Sequence, residues 1–383
     1  MKFKMMSILL IFLISVAVTA QEDYKDKKNL KEIYAKTHNH EVVKLPDSEF
    51  EFGKKPKNII LMIADGLGTT HLYAAYTVNG GNLNMTNMPF SGFATTHSAD
   101  NYTTDSGAGG TALSTGQRTY NGAIAVDMNK KPIPTILEIA EKNKKATGLV
   151  SSSAITHATP ASFIAHNESR NNYEEIAADF LKTDIDIFIG GGKSFFTERE
   201  DGRNLLEELK AKNYQVYDSI RQAKNSPEGP MAILTAAKHN PAYPERGNLI
   251  QEGTKKAIKV LNNNDEGYFL MVEGSQIDWG GHENNTAYIV KETLDFDIAV
   301  GNALEMAAAD GETLIIVTSD HETGGMSIET GDFEKGEIHA KYTTNNHTGV
   351  MVPVFAYGPG AEHFTGLMKN TDIFHKMVNL FGF

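Results

Sequence analysis

The chain has 383 residues, of which 40% are hydrophobic and 22% charged, and it contains no cysteine. This ordinary globular composition excludes wholesale disorder, collagen-like repeats and coiled coil, and a chain without cysteine forms no disulfides. With 36 basic and 48 acidic side chains the net charge is −12, which argues against binding to nucleic acid or to an anionic membrane surface. Two domains or one large α/β domain with insertions would both fit the length, and we favour the single domain.

Residues 1–20 are typical of a secretory signal peptide. Two lysines precede an apolar run from Met5 to Val18, and small residues end the segment at Ala20. The run is shorter than the roughly 20 apolar residues that span a bilayer, so we expect cleavage after Ala20 and no membrane anchor. The mature protein is then exported, to the periplasm or outside the cell. Residues 21–50 are polar and are interpreted as an N-terminal arm, followed by one domain over residues 51–383.

Short apolar, β-branched runs alternate with helical patterns along the rest of the chain. Six such runs resemble buried strands: Asn58–Ala64, Ala146–Ser151, Ile185–Ile189, Tyr268–Glu273, Thr313–Thr318 and Val350–Tyr357. Helices are predicted after a Thr135–Glu138 capping box, around Tyr173–Leu181 and across Ile289–Ala307. This alternation predicts an α/β fold, with a mostly parallel central sheet and helices on both faces. The stretches 197–247 and 325–346 are predicted to be surface insertions.

Acidic residues and histidines follow several of the predicted strands. Asp65 comes directly after the first, Glu273 ends the fourth, and the pair Asp320 and His321 follows the fifth. Ligands of parallel sheets bind beyond the carboxyl ends of the strands, so we expect these side chains to gather at one edge. A lone Asp-Gly after a strand is more often only a turn, and it is the repetition that favours a functional site.

Asp278 and His282 have the i to i+4 spacing that places a carboxylate beside an imidazole on a helical turn. A solvated polar turn would have the same spacing, so the pair alone is ambiguous. Several clustered carboxylates repel one another unless divalent cations neutralise them. Oxygen and nitrogen ligands without thiolates suit Zn²⁺, and a site of oxygens alone suits Mg²⁺.

The segment Tyr102–Leu113 predicts a helix of small residues capped by Asp105 or Ser106. It is either a well-capped helix with tightly packed glycines or a phosphate site, in which the Ser106 hydroxyl lies at the positive end of the helix. Serine is a weak nucleophile, and a metal could supply the activation. Arg170 offers a planar fork of donors to phosphate oxygens, although a surface arginine is the common alternative. The glycines of Gly190–Ser194 do not make a P-loop, because isoleucine stands where its first glycine must be.

From about Asn58 to its C-terminus the sequence resembles the alkaline phosphatase family. The family motifs occur in order: strand-Asp-Gly, T-D-S with small residues, T-P-A with a downstream arginine, V-E-G-x-x-I-D-x-x-x-H, S-D-H and a late H-T-G. The resemblance implies hydrolysis of phosphate monoesters. Because this chemistry needs metal-bound hydroxide and alkoxide, we also expect an alkaline pH optimum. It implies that Ser106 is the nucleophile that becomes phosphorylated and that Arg170 binds the phosphoryl oxygens.

The resemblance further implies two zinc ions and one magnesium ion. The ligands would be Asp278, His282 and His347 for one Zn²⁺; Asp65, Asp320 and His321 for the second; and Asp65, Thr159 and Glu273 for Mg²⁺. Two neighbouring positions carry His157 and Trp279, where some bacterial members have Asp and Lys and others share the His and Trp. Trp279 removes a cation near the phosphate, and His157 changes the surroundings of the third metal.

A homodimer is also implied, in which the arm could lie across the partner. Two other functions stay open: a phosphodiesterase or sulfatase on a related scaffold, and an exported phosphate- or metal-binding protein without turnover. A diester carries one negative charge and a second ester group, so it matches an arginine and three cations poorly. A binding protein would need the metal ligands but would not need Ser106.

Overall fold

The computed structural model describes residues 32–33, 40–46, 52–226 and 228–383. The predicted signal peptide lies outside these residues. The strands are β1 Glu32–Ile33, β2 Asn58–Ala64, β3 Phe90–Thr95, β4 Ala146–Ala154, β5 Ile187–Gly191, β6 Gln215–Tyr217, β7 Met231–Leu234, β8 Tyr268–Gly274, β9 Thr313–Thr318, β10 Glu322–Thr323, β11 Met326–Asp332, β12 Glu337–Tyr342, β13 His347–Thr348, β14 Val352–Tyr357 and β15 Gly366–Lys369. The α-helices are α1 Thr69–Val78, α2 Ser106–Thr115, α3 Ile136–Lys142, α4 Ala158–Ile164, α5 Tyr173–Asp179, α6 Lys193–Thr197, α7 Leu205–Ala211, α8 Leu249–Leu261, α9 Gln276–His282, α10 Thr286–Asp310 and α11 Asn370–Phe381. Short 3₁₀ helices lie at Met85–Asn87, Gln222–Asn225 and Ala361–Phe364.

Ten strands form a central sheet in the order β15-β3-β14-β9-β2-β8-β4-β5-β7-β6. Only β14 is antiparallel to its two neighbours, and every other adjacent pair is parallel. The predicted α/β fold with a mostly parallel sheet is therefore confirmed. All seven residues of β2 are buried, because helices cover both faces of the sheet.

Four strands of this sheet were not predicted from the sequence. β3 contains glycine and exposes alternate residues, β15 contains glycine and exposes three of its four residues, and β6 has only three residues, so none of them forms a continuous apolar run. β6 and β7 lie within the stretch 197–247, which we expected to be a surface insertion. The structure differs from that expectation, because Met231–Leu234 is fully buried and extends the sheet beside β5.

Two apolar cores lie on opposite faces of the sheet, and successive side chains of β2 point into them in turn. Ile59, Leu61 and Ile63 pack with α2, α3, α4 and α11 on one face. Ile60 and Met62 pack with α1, α8 and α10 on the other. Full burial of a side chain of this size contributes about 1.5–3 kcal/mol, so the central strands form a rigid base for the loops that follow them.

A buried ion-pair network attaches the end of the 197–247 stretch to α10. The Arg246 side chain is only 1% exposed; it donates from Nη1 to Glu292 Oε1 at 2.7 Å and from Nη2 to Asp295 Oδ2 at 2.6 Å. Removing one partner of such a network leaves an uncompensated buried charge. The network therefore holds the end of this stretch against α10.

The stretch 325–346 folds as the β11–β12 hairpin outside the central sheet, and β1 of the N-terminal arm pairs with β12. Further along the arm, His40 Nε2 lies 2.6 Å from Asp297 Oδ2 on α10, and the Val43 N–H donates to Asn84 Oδ1. Within the described ranges no helix is both long enough and apolar enough to cross a membrane.

Candidate active site

The nucleophile candidate lies at the first residue of α2, where the local sequence fixes the start of the helix. Asp105 is the N-cap, and its carboxylate accepts from the Ala108 N–H at 2.9 Å. Small residues then allow close packing: a Cβ on Gly109 would lie 3.1 Å from the Asp320 Cβ. Ser106 is buried, and its Oγ is 3.2 Å from His321 Nε2. The serine is thus held at the positive end of a helix, against an imidazole.

A first group of ligand atoms is formed by Asp278, His282 and His347. Nε2 of His282 is 3.3 Å from one Asp278 oxygen, and Nε2 of His347 is 3.4 Å from the other. The two Nε2 atoms face each other at 3.2 Å. Nδ1 of His282 lies 2.6 Å from the Asn345 carbonyl and Nδ1 of His347 lies 2.8 Å from the Thr104 carbonyl, which places the protons there. Both Nε2 lone pairs are then directed at one point, as in metal sites.

A second group consists of Asp65, Asp320 and His321, all buried. His321 Nε2 is 3.3 Å from Asp320 Oδ2 and 3.5 Å from Asp65 Oδ1. Asp65 follows β2 and Asp320 follows the neighbouring parallel strand β9, so the topology brings the two carboxylates to one edge. The His321 ring stacks on the His347 ring at a centroid distance of 3.6 Å, which places the first two groups side by side.

A third group contains Asp65, His157 and Glu273, whose ligand atoms lie within 4.8 Å of one another. Thr159 Oγ1 is 3.5 Å from Asp65 Oδ2, so the threonine expected from the resemblance borders the same group. Two buried serine hydroxyls donate to Glu273 Oε2, each at 2.6 Å. The His157 ring, which the resemblance placed beside the third metal, offers one of the three candidate ligand atoms of this group.

The electrostatics of these groups reflect crowded carboxylates without counter-charge. Burial and the neighbouring Asp320 raise the pKa of Asp65 well above its usual range. Burial also raises the pKa of Glu273 to about 7 and that of Asp320 to about 6. Burial opposes ionisation of Asp278 too, but in the absence of a cation its close contacts with the imidazoles of His282 and His347 hold its pKa well below the usual range.

Several buried ligand atoms have no hydrogen-bond partner among the described residues. They are Asp65 Oδ1, Asp320 Oδ2, Glu273 Oε1 and His157 Nδ1. A buried polar atom without a partner is costly and calls for an ion or a water. Divalent cations would satisfy these oxygens and neutralise the carboxylates. The donor sets therefore fit divalent cations.

Arg170 lies beside the serine. Its Nη1 donates to Asp105 Oδ2 at 2.9 Å, and its Nη2 lies 3.3 Å from His157 Nε2. The Asp105 carboxylate thus links the arginine to the N-terminus of α2. A cavity of about 430 Å³ is lined by residues from this helix, from the first ligand group and from Arg170. Ser106 and the arginine fork therefore face the same space.

Trp279 is packed edge-on against two histidines. Its ring centroid is 6.3 Å from that of His157 and 5.1 Å from that of His239, which follows β7. Sequence reasoning gave no reason to single out His239, because no motif or period includes it. Thr323 was missed as well: its hydroxyl donates to Asp278 Oδ1 and lies 3.2 Å from His321 Nδ1, joining ligands of two groups.

A protein-family model and two relatives of known name identify the family of this chain. The family model for alkaline phosphatase matches residues 56–341 and 334–382. Alkaline phosphatase 4 of Bacillus subtilis (strain 168) is 35% identical over an alignment that covers 82% of this chain and 87% of that protein. The alkaline phosphatase of Escherichia coli (strain K12) is 32% identical over an alignment that covers 86% of this chain and 87% of that protein.

Among solved structures, the alkaline phosphatase of the Antarctic bacterium TAB5 is 40% identical with a TM-score of 0.81, covering 86% of this chain and 99% of that one. A histidine-to-aspartate mutant of the TAB5 enzyme has Mg bound in its M3 site. The sequence motifs and the fold agree with these matches. The chain therefore belongs to the alkaline phosphatase family and is a metal-dependent phosphomonoesterase.

Proposed function

We propose that the enzyme hydrolyses phosphate monoesters through a phosphoserine on Ser106. The observation that carries this proposal is the convergence of three ligand groups on the N-terminus of α2, where Ser106 Oγ is 3.2 Å from His321 Nε2. Among the described residues no carboxylate orients His321 as a general base for this serine, because its Nδ1 faces the Thr323 hydroxyl and the ring is itself a candidate ligand. Activation of the Ser106 hydroxyl must then come from cations bound at the ligand groups.

The first two groups mix imidazole and carboxylate donors, a combination that suits Zn²⁺, and we assign one zinc ion to each. With the Thr159 hydroxyl included, the third group offers the most oxygen donors, and we assign Mg²⁺ to it, held by Asp65, Glu273 and Thr159, with the His157 ring offering a further ligand atom. Bound cations there would lower the pKa of a hydroxyl and stabilise charge on both the entering and the departing oxygen. Magnesium in the M3 site of the TAB5 mutant agrees with a third cation in this family.

The chain's own residues position the ester. Ser106 Oγ attacks phosphorus in line, while the first N–H groups of α2 and its dipole favour the dianion. Arg170 holds non-bridging oxygens with its planar fork, and Asp105 keeps the guanidinium in place. The leaving alcohol departs on the opposite side of phosphorus, and water then cleaves the phosphoserine. Nothing in this scheme requires contact with the alcohol group, so broad substrate acceptance follows.

Replacing Ser106 by alanine tests the proposal. The variant should lose hydrolysis by about 10³-fold or more while it still binds inorganic phosphate, because positioning groups remain. Acid quenching of the wild type during turnover should trap phosphate on Ser106, identified by mass spectrometry. Intact hydrolysis in the alanine variant would refute the assignment of the nucleophile.

A phosphodiesterase or sulfatase remains the second candidate in chemical terms. Arg170 and cations bound at the three ligand groups would stabilise a dianionic monoester better than a diester, which carries a single negative charge. Rates on a monoester and a diester of the same chromogenic alcohol separate the two, and we expect the monoester to be faster. Faster hydrolysis of the diester would refute the assignment of phosphate monoesters as the substrate class.

We also propose that residues 1–20 direct export to the periplasm or beyond the cell, and that residues 51–383 act as one domain. A homodimer with the arm near the partner is part of the same proposal, whereas we expect no nucleic-acid or membrane binding. Light scattering on the full-length mature protein and on an arm-deleted form tests the dimer. A monomer in both forms would end that idea.

A further inference from the structure

The imidazole of His157 lies where two different cations could contact it, the Arg170 guanidinium and a divalent ion bound at the third group. Arg170 Nη2 lies 3.3 Å from His157 Nε2, and an arginine can only donate, so Nε2 acts as the acceptor. His157 also contributes a ligand atom to the third group, with Asp65 and Glu273. Its Nδ1 is buried and has no hydrogen-bond partner among the described residues.

A neutral imidazole has one lone pair, and it cannot serve both groups at once. A cation bound through Nε2 would displace the Arg170 donor directly. A cation bound through Nδ1 would move the proton to Nε2, where it would point at the guanidinium. The Arg170–His157 contact is lost in both cases, whichever nitrogen binds. Because Arg170 can only donate to Nε2, the contact itself requires a neutral ring.

The other half of the guanidinium does not depend on His157. Arg170 Nη1 donates to Asp105 Oδ2 at 2.9 Å, and Asp105 is in turn fixed as the N-cap of α2. Loss of the His157 contact therefore frees Nη2 alone, while the arginine stays tethered beside Ser106. Arg170, Asp105 and Ser106 line the same cavity, so the freed donor is available to a phosphoryl oxygen there.

We propose that a cation at the third group and Arg170 exclude each other from His157, so that the cation releases Arg170 Nη2 for phosphate. Cation binding and phosphate binding then strengthen each other. By thermodynamic reciprocity, the factor by which Mg²⁺ tightens phosphate equals the factor by which phosphate tightens Mg²⁺. The inference rests on the proposed function in one respect, the binding of the phosphoryl group by Arg170.

The chain contains a single tryptophan, and it is placed to report on this exchange. The Trp279 ring centroid is 6.3 Å from that of His157, at an interplanar angle of 85°. Mg²⁺ is titrated into zinc-loaded protein with and without inorganic phosphate, and Trp279 fluorescence is recorded. We expect phosphate to lower the Mg²⁺ midpoint by about fivefold or more, and Mg²⁺ to lower the phosphate Kd by the same factor. No mutual effect in the wild type would overturn the proposal.

Attraction between a cation and a phosphate dianion would also couple the two sites, and the variant His157→Asp separates the explanations. A carboxylate has several lone pairs, so it can bind a cation and accept from Arg170 together. In this variant a bound cation no longer displaces Arg170, whereas the attraction between the cation and the phosphate dianion remains. We expect the coupling factor to fall at least threefold, and an unchanged factor would contradict the exclusion.

His239→Gln is the matched control. His239 also packs edge-on against Trp279, at 5.1 Å, but it belongs to none of the three ligand groups. This variant should change the fluorescence baseline and keep the wild-type coupling factor. If it loses the coupling as His157→Asp does, the packing of the rings and not the shared lone pair is responsible. None of these titrations needs turnover, so failure of the proposed function would appear separately, as the absence of phosphate on Ser106.

Discussion

Without its metal ions the protein should lose stability as the pH rises, because Glu273 then has to ionise in a buried site. This carboxyl is fully buried, and without a cation one of its oxygens has no partner among the described residues. After chelation, burial therefore favours the protonated form of this carboxyl over its ionised form. We expect the metal-free protein to carry a penalty at neutral pH that disappears on acidification.

The size of the penalty follows from the pKa shift. Burial raises the pKa of Glu273 from 4.5 to about 7. Because the folded-state pKa is raised, the folded protein retains the proton at pH values where the unfolded chain has lost it. The carboxyl costs nothing below the unfolded pKa, and the cost grows as the pH rises to the folded one. The full shift corresponds to about 3 kcal/mol.

The measurement compares the wild type with Glu273→Gln, both treated with a chelator, by urea denaturation between about pH 5 and pH 8. Glutamine keeps the shape and stays uncharged, and the histidines that titrate in the same range contribute equally to both proteins. The free energy of unfolding of the wild type should fall relative to the variant by about 2–3 kcal/mol across this range. A constant difference between the two proteins would refute the reasoning.

Three further variants test other contacts. Thr323→Val removes the hydroxyl shared by Asp278 and His321, so zinc affinity measured by competition with a chelator should fall about 10–100-fold and return in Thr323→Ser; an unchanged affinity would contradict the contact. Arg246→Met leaves two buried carboxylates of α10 unpaired and should lower the free energy of unfolding in urea by about 3–5 kcal/mol, whereas a loss below about 1 kcal/mol would show that the network is dispensable. Gly66→Ala would place a Cβ 2.6 Å from the Asp278 Cα at a φ of +79°, so elemental analysis should find less zinc per chain, and full zinc occupancy would argue against this steric account.

Sequence patterns predicted the parts of the structure that obey a simple rule. Asp65 and Asp320 could be expected to meet, because they follow strands that run parallel in a sheet. The capping box at Thr135 is present at the start of α3, and Asp105 caps α2. Both devices depend on residues three positions apart, so a local pattern is enough to find them.

Other features depend on contacts between distant segments. His347 lies on a two-residue strand, and its place is set by pairing with Thr323 on β10, which no periodicity reveals. Only the late H-T-G motif of the family pointed to it. The short edge strands lack an apolar run, and His239 reaches Trp279 through a loop whose course follows from the fold as a whole. Such positions are decided by tertiary packing.

The side chains of the three ligand groups come from remote parts of the polypeptide, from Asp65 after β2 to His347 on β13. A nascent or truncated chain that lacks its last β-strands cannot assemble this chemistry, however well its earlier segments have folded. The appearance of catalysis therefore reports that folding has been completed, and unfinished molecules stay inert toward the phosphate esters around them.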